Sequence, residues 1–227
     1  MGAPTAAAFV AATPVVGPSP RCRLAPSARR AVGRAAALPR AAARRRVGRC
    51  PTMGIAVIYA STTGNCEEVA NLIADGLGGT VVDAVLEISD TSADQLAGYD
   101  GLVVGAPTWN TGADVERSGT DWDTFLYEDL KGVGLDGKPV AVFGTGDSVS
   151  YGDNFVDAME ELHDCFAKQG AKMVGAVPVD GYQHTESKAE RDGMFLGLPL
   201  DQDNEDDLTE DRVKAWCDQI KMEAGWK

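Results

Sequence analysis

Three short loops carry the residue types that could hold a ligand. The first, Ser61-Thr62-Thr63-Gly64-Asn65-Cys66, follows an apolar run, Ile55 to Tyr59, and opens a helix-patterned segment. It reads as a strand, a turn and a helix N-terminus. Ser61, Thr62 and Thr63 offer hydroxyls, while the first N–H groups of a helix have no internal partner and sit at the positive end of its dipole. An anion is favoured there without any basic side chain. The loop has no Lys or Arg and the Walker phosphate-loop pattern is missing from the chain, so a phosphate monoester fits better than a nucleoside triphosphate with magnesium. Clusters of Ser, Thr, Gly and Asn also mark ordinary turns and helix caps, so this loop alone decides little.

Two further loops shift the balance. Pro107-Thr108-Trp109-Asn110-Thr111-Gly112 is one; the other runs from Phe143 to Phe155 and includes Gly144, Thr145, Gly146, Asp147, Tyr151, Asp153 and Asn154. Each follows an apolar run and sets one aromatic among turn residues. An isolated Trp usually belongs to a core, and Trp122 and Trp216 suit that role. Trp109 and Tyr151 instead lie beyond strand ends, where a flat ligand can be sandwiched; aromatic stacking on a nucleobase contributes about 1–3 kcal/mol per ring.

With all three loops in this order, the segment from about Gly54 to the C-terminus resembles the flavodoxins, specifically the long-chain, plastid-targeted algal type. The segment from Val179-Asp180-Gly181-Tyr182 to Asp201-Gln202-Asp203-Asn204 matches the insertion that interrupts the last strand of long-chain members. The resemblance implies a doubly wound α/β fold with a five-stranded parallel sheet, order 2-1-3-4-5, and helices on both faces. It implies non-covalently bound flavin mononucleotide (FMN), with its phosphate on the first loop and Trp109 and Tyr151 on opposite faces of the ring system. In that family a backbone carbonyl of the tryptophan loop, here in the Asn110–Thr111 peptide, turns to accept a hydrogen bond from N5 of the neutral semiquinone. The implied function is a low-potential carrier of single electrons from photosystem I to ferredoxin-NADP reductase, in place of ferredoxin, with no catalytic residue of its own.

The alternative is an FMN-dependent NAD(P)H quinone reductase on the same kind of fold. Acidic loops argue against it, since NADPH is itself an anion. A phosphate-accepting signalling domain would need acidic residues at the end of the first strand, where this chain has Tyr59-Ala60-Ser61-Thr62. Two departures from the family stand out. Cys66 occupies the place of a hydroxyl residue that closes the phosphate loop, and a thiol is a weaker donor. The segment Ala113 to Thr120 lengthens the tryptophan loop. Because a helix N-terminus lowers a thiol pKa, and a bound phosphate dianion opposes ionisation, Cys66 is expected to be labelled faster in the apoprotein than in the holoprotein.

The elements that must position these loops are legible independently. Ile55 to Ala60, Thr80 to Leu86, Gly101 to Ala106, Pro139 to Gly144 and Met173 to Val179 read as buried parallel strands. Val69, Leu72, Ile73 and Leu77 recur at helical spacing, as do Phe155, Met159, Leu162 and Phe166, and Val213, Trp216 and Ile220. Asp207 with Glu210 resembles a capping arrangement at the start of the last helix. Alternating strands and helices imply a parallel sheet with ligands at the C-terminal ends of its strands, where all three loops fall.

The chain divides at about residue 52. Residues 1–52 hold ten Arg, no Lys and no acidic residue, the composition of a disordered, cleavable transit peptide; residues 53–227 form the expected FMN-binding domain. Such a leader on a flavodoxin-like chain points to the plastid stroma of a photosynthetic eukaryote. The formal charge of −13 over 227 residues conceals eleven basic and 34 acidic residues after Met53, a net of 11 − 34 = −23. That charge disfavours nucleic acid and anionic lipid and favours basic protein surfaces. No run reaches the ~18 apolar residues of a spanning helix, so no membrane insertion is expected, and the resemblance implies a monomer. The widely spaced Cys66, Cys165 and Cys217 fit neither a disulfide framework nor a zinc site. The acidic run Asp201 to Asp207 fails the EF-hand pattern, which would need Gly at Asp206 and Glu at Arg212.

Overall fold

Each apolar run finds a parallel neighbour. In the computed structural model, which describes residues 53–227, strands β1 (Met53–Tyr59), β2 (Val82–Glu87), β3 (Tyr99–Pro107), β4 (Pro139–Thr145) and β5 (Lys172–Val174) form a sheet of order β2-β1-β3-β4-β5. The expected transit peptide lies outside the described residues. β3 is buried from Gly101 to Pro107 and β4 from Val140 to Thr145, as strands covered on both faces must be.

Helix α1 (Asn65–Leu77) follows β1 and α2 (Ala93–Gly98) follows β2. α3 (Asp121–Tyr127) precedes β4, and α4 (Asp157–Lys168) joins β4 to β5. Neighbouring residues of β4 show which helices cover which face, since successive side chains of a strand point to opposite sides. Thr145 meets Cys66 of α1, whereas a Cβ on Gly144 would touch Met159 and Val156 of the α4 region at 3.1 and 3.3 Å. Trp122 of α3 packs edge-on against Phe166 of α4, so those two share a side. The C-terminal helix α5 (Asp206–Ala224) joins α1, where Gly76 lets the Cys217 side chain approach.

The last apolar run does not stay one strand. β5 stops at Val174 because Gly175 turns the chain at φ 87° and brings its carbonyl to Trp216 Nε1 at 2.7 Å. Val177–Pro178 (β6) then enters a small antiparallel sheet of order β6-β8-β7, with β7 at Glu190–Arg191 and β8 at Met194–Phe195. β9 (Leu198–Leu200) returns to pair with β4 beside the loops. The fifth position of the sheet is thus held by two pieces, with the insertion between them.

Two helices escaped the sequence reading. α2 begins with a capping box in which Ser92 accepts from Gln95 N–H and donates its own N–H to the Gln95 side chain. α3 is capped by Thr120. The expected Asp207–Glu210 cap is not formed: α5 starts at Asp206 after Glu205, without a side-chain cap, and both acids lie inside the helix.

Candidate functional site

The three loops leave the C-terminal ends of β1, β3 and β4, the central strands of the sheet, and enclose a cleft. Ala60 N–H donates to Gly105 O at 3.2 Å, extending the β1–β3 ladder by one residue, so the first loop begins at Ser61. Gly64 N–H donates to Ser61 Oγ at 3.0 Å, and Gly64 adopts φ 99°, a left-handed conformation that a side chain resists. No side chain caps α1. Its first N–H groups are left for an anion.

The tryptophan loop is tied at both ends. Thr108 N–H donates to Thr145 O at 3.2 Å, and Thr108 Oγ1 accepts from Ala158 N–H, one of the orphan donors of α4, at 3.1 Å. Trp109 and Asn110 N–H both donate to Arg117 O, at 3.2 and 3.1 Å. Between them a turn closes from Ala113 N–H to Asn110 O, with Gly112 at φ 78° supplying the positive backbone angle it needs.

The third loop is held by carboxylates. Asp147 Oδ1 accepts from Val149 N–H at 3.0 Å, Ser150 N–H at 2.7 Å and Asn204 Nδ2 at 2.9 Å. The Ser150 bond above all keeps its carboxyl below the usual range. Asp201 is buried and accepts from Ser148 N–H and Oγ–H at 2.8 and 2.6 Å, and from Asn204 N–H at 2.9 Å. Burial opposes its ionisation, yet the bonds from Ser148 and Asn204 prevail and lower its pKa. The insertion supports the far end of this loop: Thr185 and Glu186 N–H both donate to Gly152 O, at 2.9 and 3.0 Å.

The resulting cleft has a volume of ≈ 370 Å³. Of the sequence-derived candidates it is lined by Thr63, Asn65, Pro107, Thr108, Trp109, Thr111, Thr145, Gly146, Asp147, Tyr151 and Asn154. Trp109 and Tyr151 belong to different loops and are 50% and 56% exposed, large aromatic faces left open at its rim. Ser61, Thr62, Gly64, Asn110, Gly112, Gly144 and Asp153 do not line the cleft; among them Ser61 and Gly64 shape the first loop and Asn110 and Gly112 the second. Gln202 and Asp203, in sequence a part of the insertion and of an acidic run, line it as well. Their position just past β9, itself paired with β4, is a tertiary fact.

Cys66 differs from its expectation. It is 1% exposed and lies behind the loop, its Sγ 3.1 Å from Thr145 Oγ1. Burial outweighs the Thr145 hydrogen bond and pushes the thiol up to about 12. It packs against Thr145, a residue that lines the cleft.

Loops at the C-terminal ends of a doubly wound parallel sheet, meeting at its switch point around a half-open aromatic cleft, define a nucleotide- or flavin-binding α/β protein. The family model for flavodoxin matches residues 57–216. Flavodoxin from Picosynechococcus sp. is 42% identical over 171 residues, covering 75% of this chain and 98% of that protein. Flavodoxin from Synechocystis sp. is 44% identical over 167 residues, covering 74% and 95%. The crystal structure of Fusobacterium nucleatum flavodoxin bound to flavin mononucleotide superposes with a TM-score of 0.68 at 26% identity, covering 77% of this chain and 99% of that one. The chain belongs to the flavodoxin family, whose members are electron-transfer flavoproteins and not substrate-converting enzymes.

Proposed function

We propose that this flavodoxin is a long-chain, plastid-targeted member that carries single electrons from photosystem I to ferredoxin-NADP reductase in place of ferredoxin, acting as a monomer in the plastid stroma. Its cofactor is FMN, and the cleft fits that group. Trp109 and Tyr151 offer exposed flat surfaces from two different loops of one cleft, and the uncapped α1 N-terminus offers N–H donors without a competing basic side chain. The interrupted fifth strand supports the long-chain assignment. The Arg-rich, acid-free residues 1–52, the cyanobacterial relatives and the net charge of −23 after residue 52 support the compartment and the partners.

When bound, FMN supplies the redox chemistry, and the protein sets potential and access. Trp109 and Tyr151 would hold the ring system and shield its faces from water. Asp147 and the surrounding acids place negative charge near the cleft, which disfavours added negative charge there and lowers the potential of the most reduced couple. The Asn110–Thr111 peptide offers a carbonyl whose bond to Ala113 N–H is a single one that can be exchanged for another donor.

The half-exposed Trp109 and Tyr151 are the observation that carries this reading. Reduced holoprotein mixed with ferredoxin-NADP reductase and NADP+ is expected to yield NADPH. Turnover of NADPH with a quinone by the purified protein alone would contradict the carrier and favour the quinone reductase.

A further inference from the structure

The lengthened tryptophan loop is fastened to α4 by a buried acid and a buried base that do not line the cleft. Glu161 is 5% exposed and sits on α4. Its two carboxylate oxygens accept from two consecutive backbone N–H groups of the loop, Glu116 at 2.7 Å and Arg117 at 2.9 Å. Tyr127 O–H also donates to it. Arg117, 8% exposed, then closes the loop on itself through its side chain: Nε donates to Ala113 O at 3.1 Å and Nη2 to Asp114 O at 2.8 Å. Its Nη1 reaches Asp157 O at 3.2 Å and Glu160 Oε2 at 2.5 Å, both on α4.

We propose that Glu161 and Arg117 are positioning residues of the flavin site, which hold the Trp109 wall of the cleft by fixing the Arg117 carbonyl. The chain of contacts is short. That carbonyl accepts from both Trp109 and Asn110 N–H, and Asn110 Nδ2 donates to Glu116 O at 2.6 Å. Glu116 has φ 58°, a left-handed angle that is unfavourable for a residue with a side chain. The bond from its N–H to Glu161 offsets that strain, so removing the carboxylate frees the segment to relax. A fixed supporting shell sets the precision of the residues it carries. The inference rests on the cleft being the FMN site.

The test compares full-length Glu161→Gln and Tyr127→Phe with the wild type. A glutamine keeps the shape but presents an N–H2 donor where one of the loop donors must be accepted. Tyr127→Phe removes a bond to the same carboxylate and leaves both loop N–H groups paired. For Glu161→Gln, amide exchange at Trp109 and Asn110 of the apoprotein is expected to quicken about tenfold while β3 and β4 are unchanged. The FMN dissociation constant is expected to rise about tenfold, and Tyr127→Phe to stay within about twofold on both readouts. Arg117→Lys, which keeps the charge but loses the fork, replaces Glu161→Gln if the latter is not recovered folded. Unchanged exchange at Trp109 and Asn110, unchanged FMN affinity, or equal effects from Tyr127→Phe would overturn the proposal. Failure of the wild type to bind FMN would instead overturn the reading of the cleft, and this inference with it.

Discussion

At Cys66 two effects of opposite sign meet, and the larger is burial. Its Sγ lies beneath the first loop against Thr145, with its pKa pushed up to about 12 from an ordinary 9.0. At pH 8 a disulfide reagent should therefore label Cys66 slowly in apoprotein and holoprotein alike, and reach full rate only in denaturant; fast labelling of the folded apoprotein would refute the burial. The same shift makes stability depend on pH. Above about pH 9 the unfolded chain releases this proton while the native state retains it, so the contribution is complete below pH 9 and is lost as pH rises toward 12. The slope is at most about 1.4 kcal/mol per pH unit for one thiol. Urea midpoints measured from pH 8 to 11 should fall, and should fall less in Cys66→Ala, referenced to its own value at pH 8. At the rim, Trp109→Ala should weaken FMN binding by about 1–3 kcal/mol, as read by fluorescence titration. An unchanged dissociation constant would remove Trp109 from the site.

Among the elements, the loop after β4 depends on a residue far along the chain. Asp201 follows β9 and holds Ser148 through two hydrogen bonds, so Asp201→Ala should cost about 1.5–3 kcal/mol, measured by urea unfolding at pH 7. Because the folded carboxyl has a lowered pKa, its contribution is complete above the unfolded value and is lost as pH falls through the folded one. The gap between wild type and variant should shrink in acid, below about pH 4; a gap that stays constant would contradict this role. Residues near the loops were legible because their strands are apolar runs and their aromatics sit among turn formers. Trp122 and Trp216 were likewise legible as core, at 0% and 1% exposure. The run Met173 to Val179 misled because apolar composition does not reveal that Gly175 turns the backbone against Trp216. Gln202 and Asp203 were not singled out, since polar residues in an acidic stretch show no local sign of facing a cleft. Glu161 was hidden for a related reason: a buried acid inside an amphipathic helix reads as solvated until its partners on another loop are known.

The whole domain carries a net charge of −23 after residue 52. Association with a basic partner should accelerate at low salt and slow as ionic strength rises, as the Debye length contracts to about 8 Å at physiological salt. Stopped-flow rates for reduction of ferredoxin-NADP reductase between low and high salt would show this; a rate independent of salt would contradict electrostatic steering. Among the described residues no helix is long and apolar enough to cross a membrane, and no group of three or more His, Cys, Asp or Glu side chains could hold a metal ion. The most direct measurement is an anaerobic reductive titration of the FMN-bound protein, followed by its visible spectrum. The carrier predicts two separate one-electron steps, with a distinct long-wavelength band that rises and then falls. Reduction in a single two-electron step would contradict it.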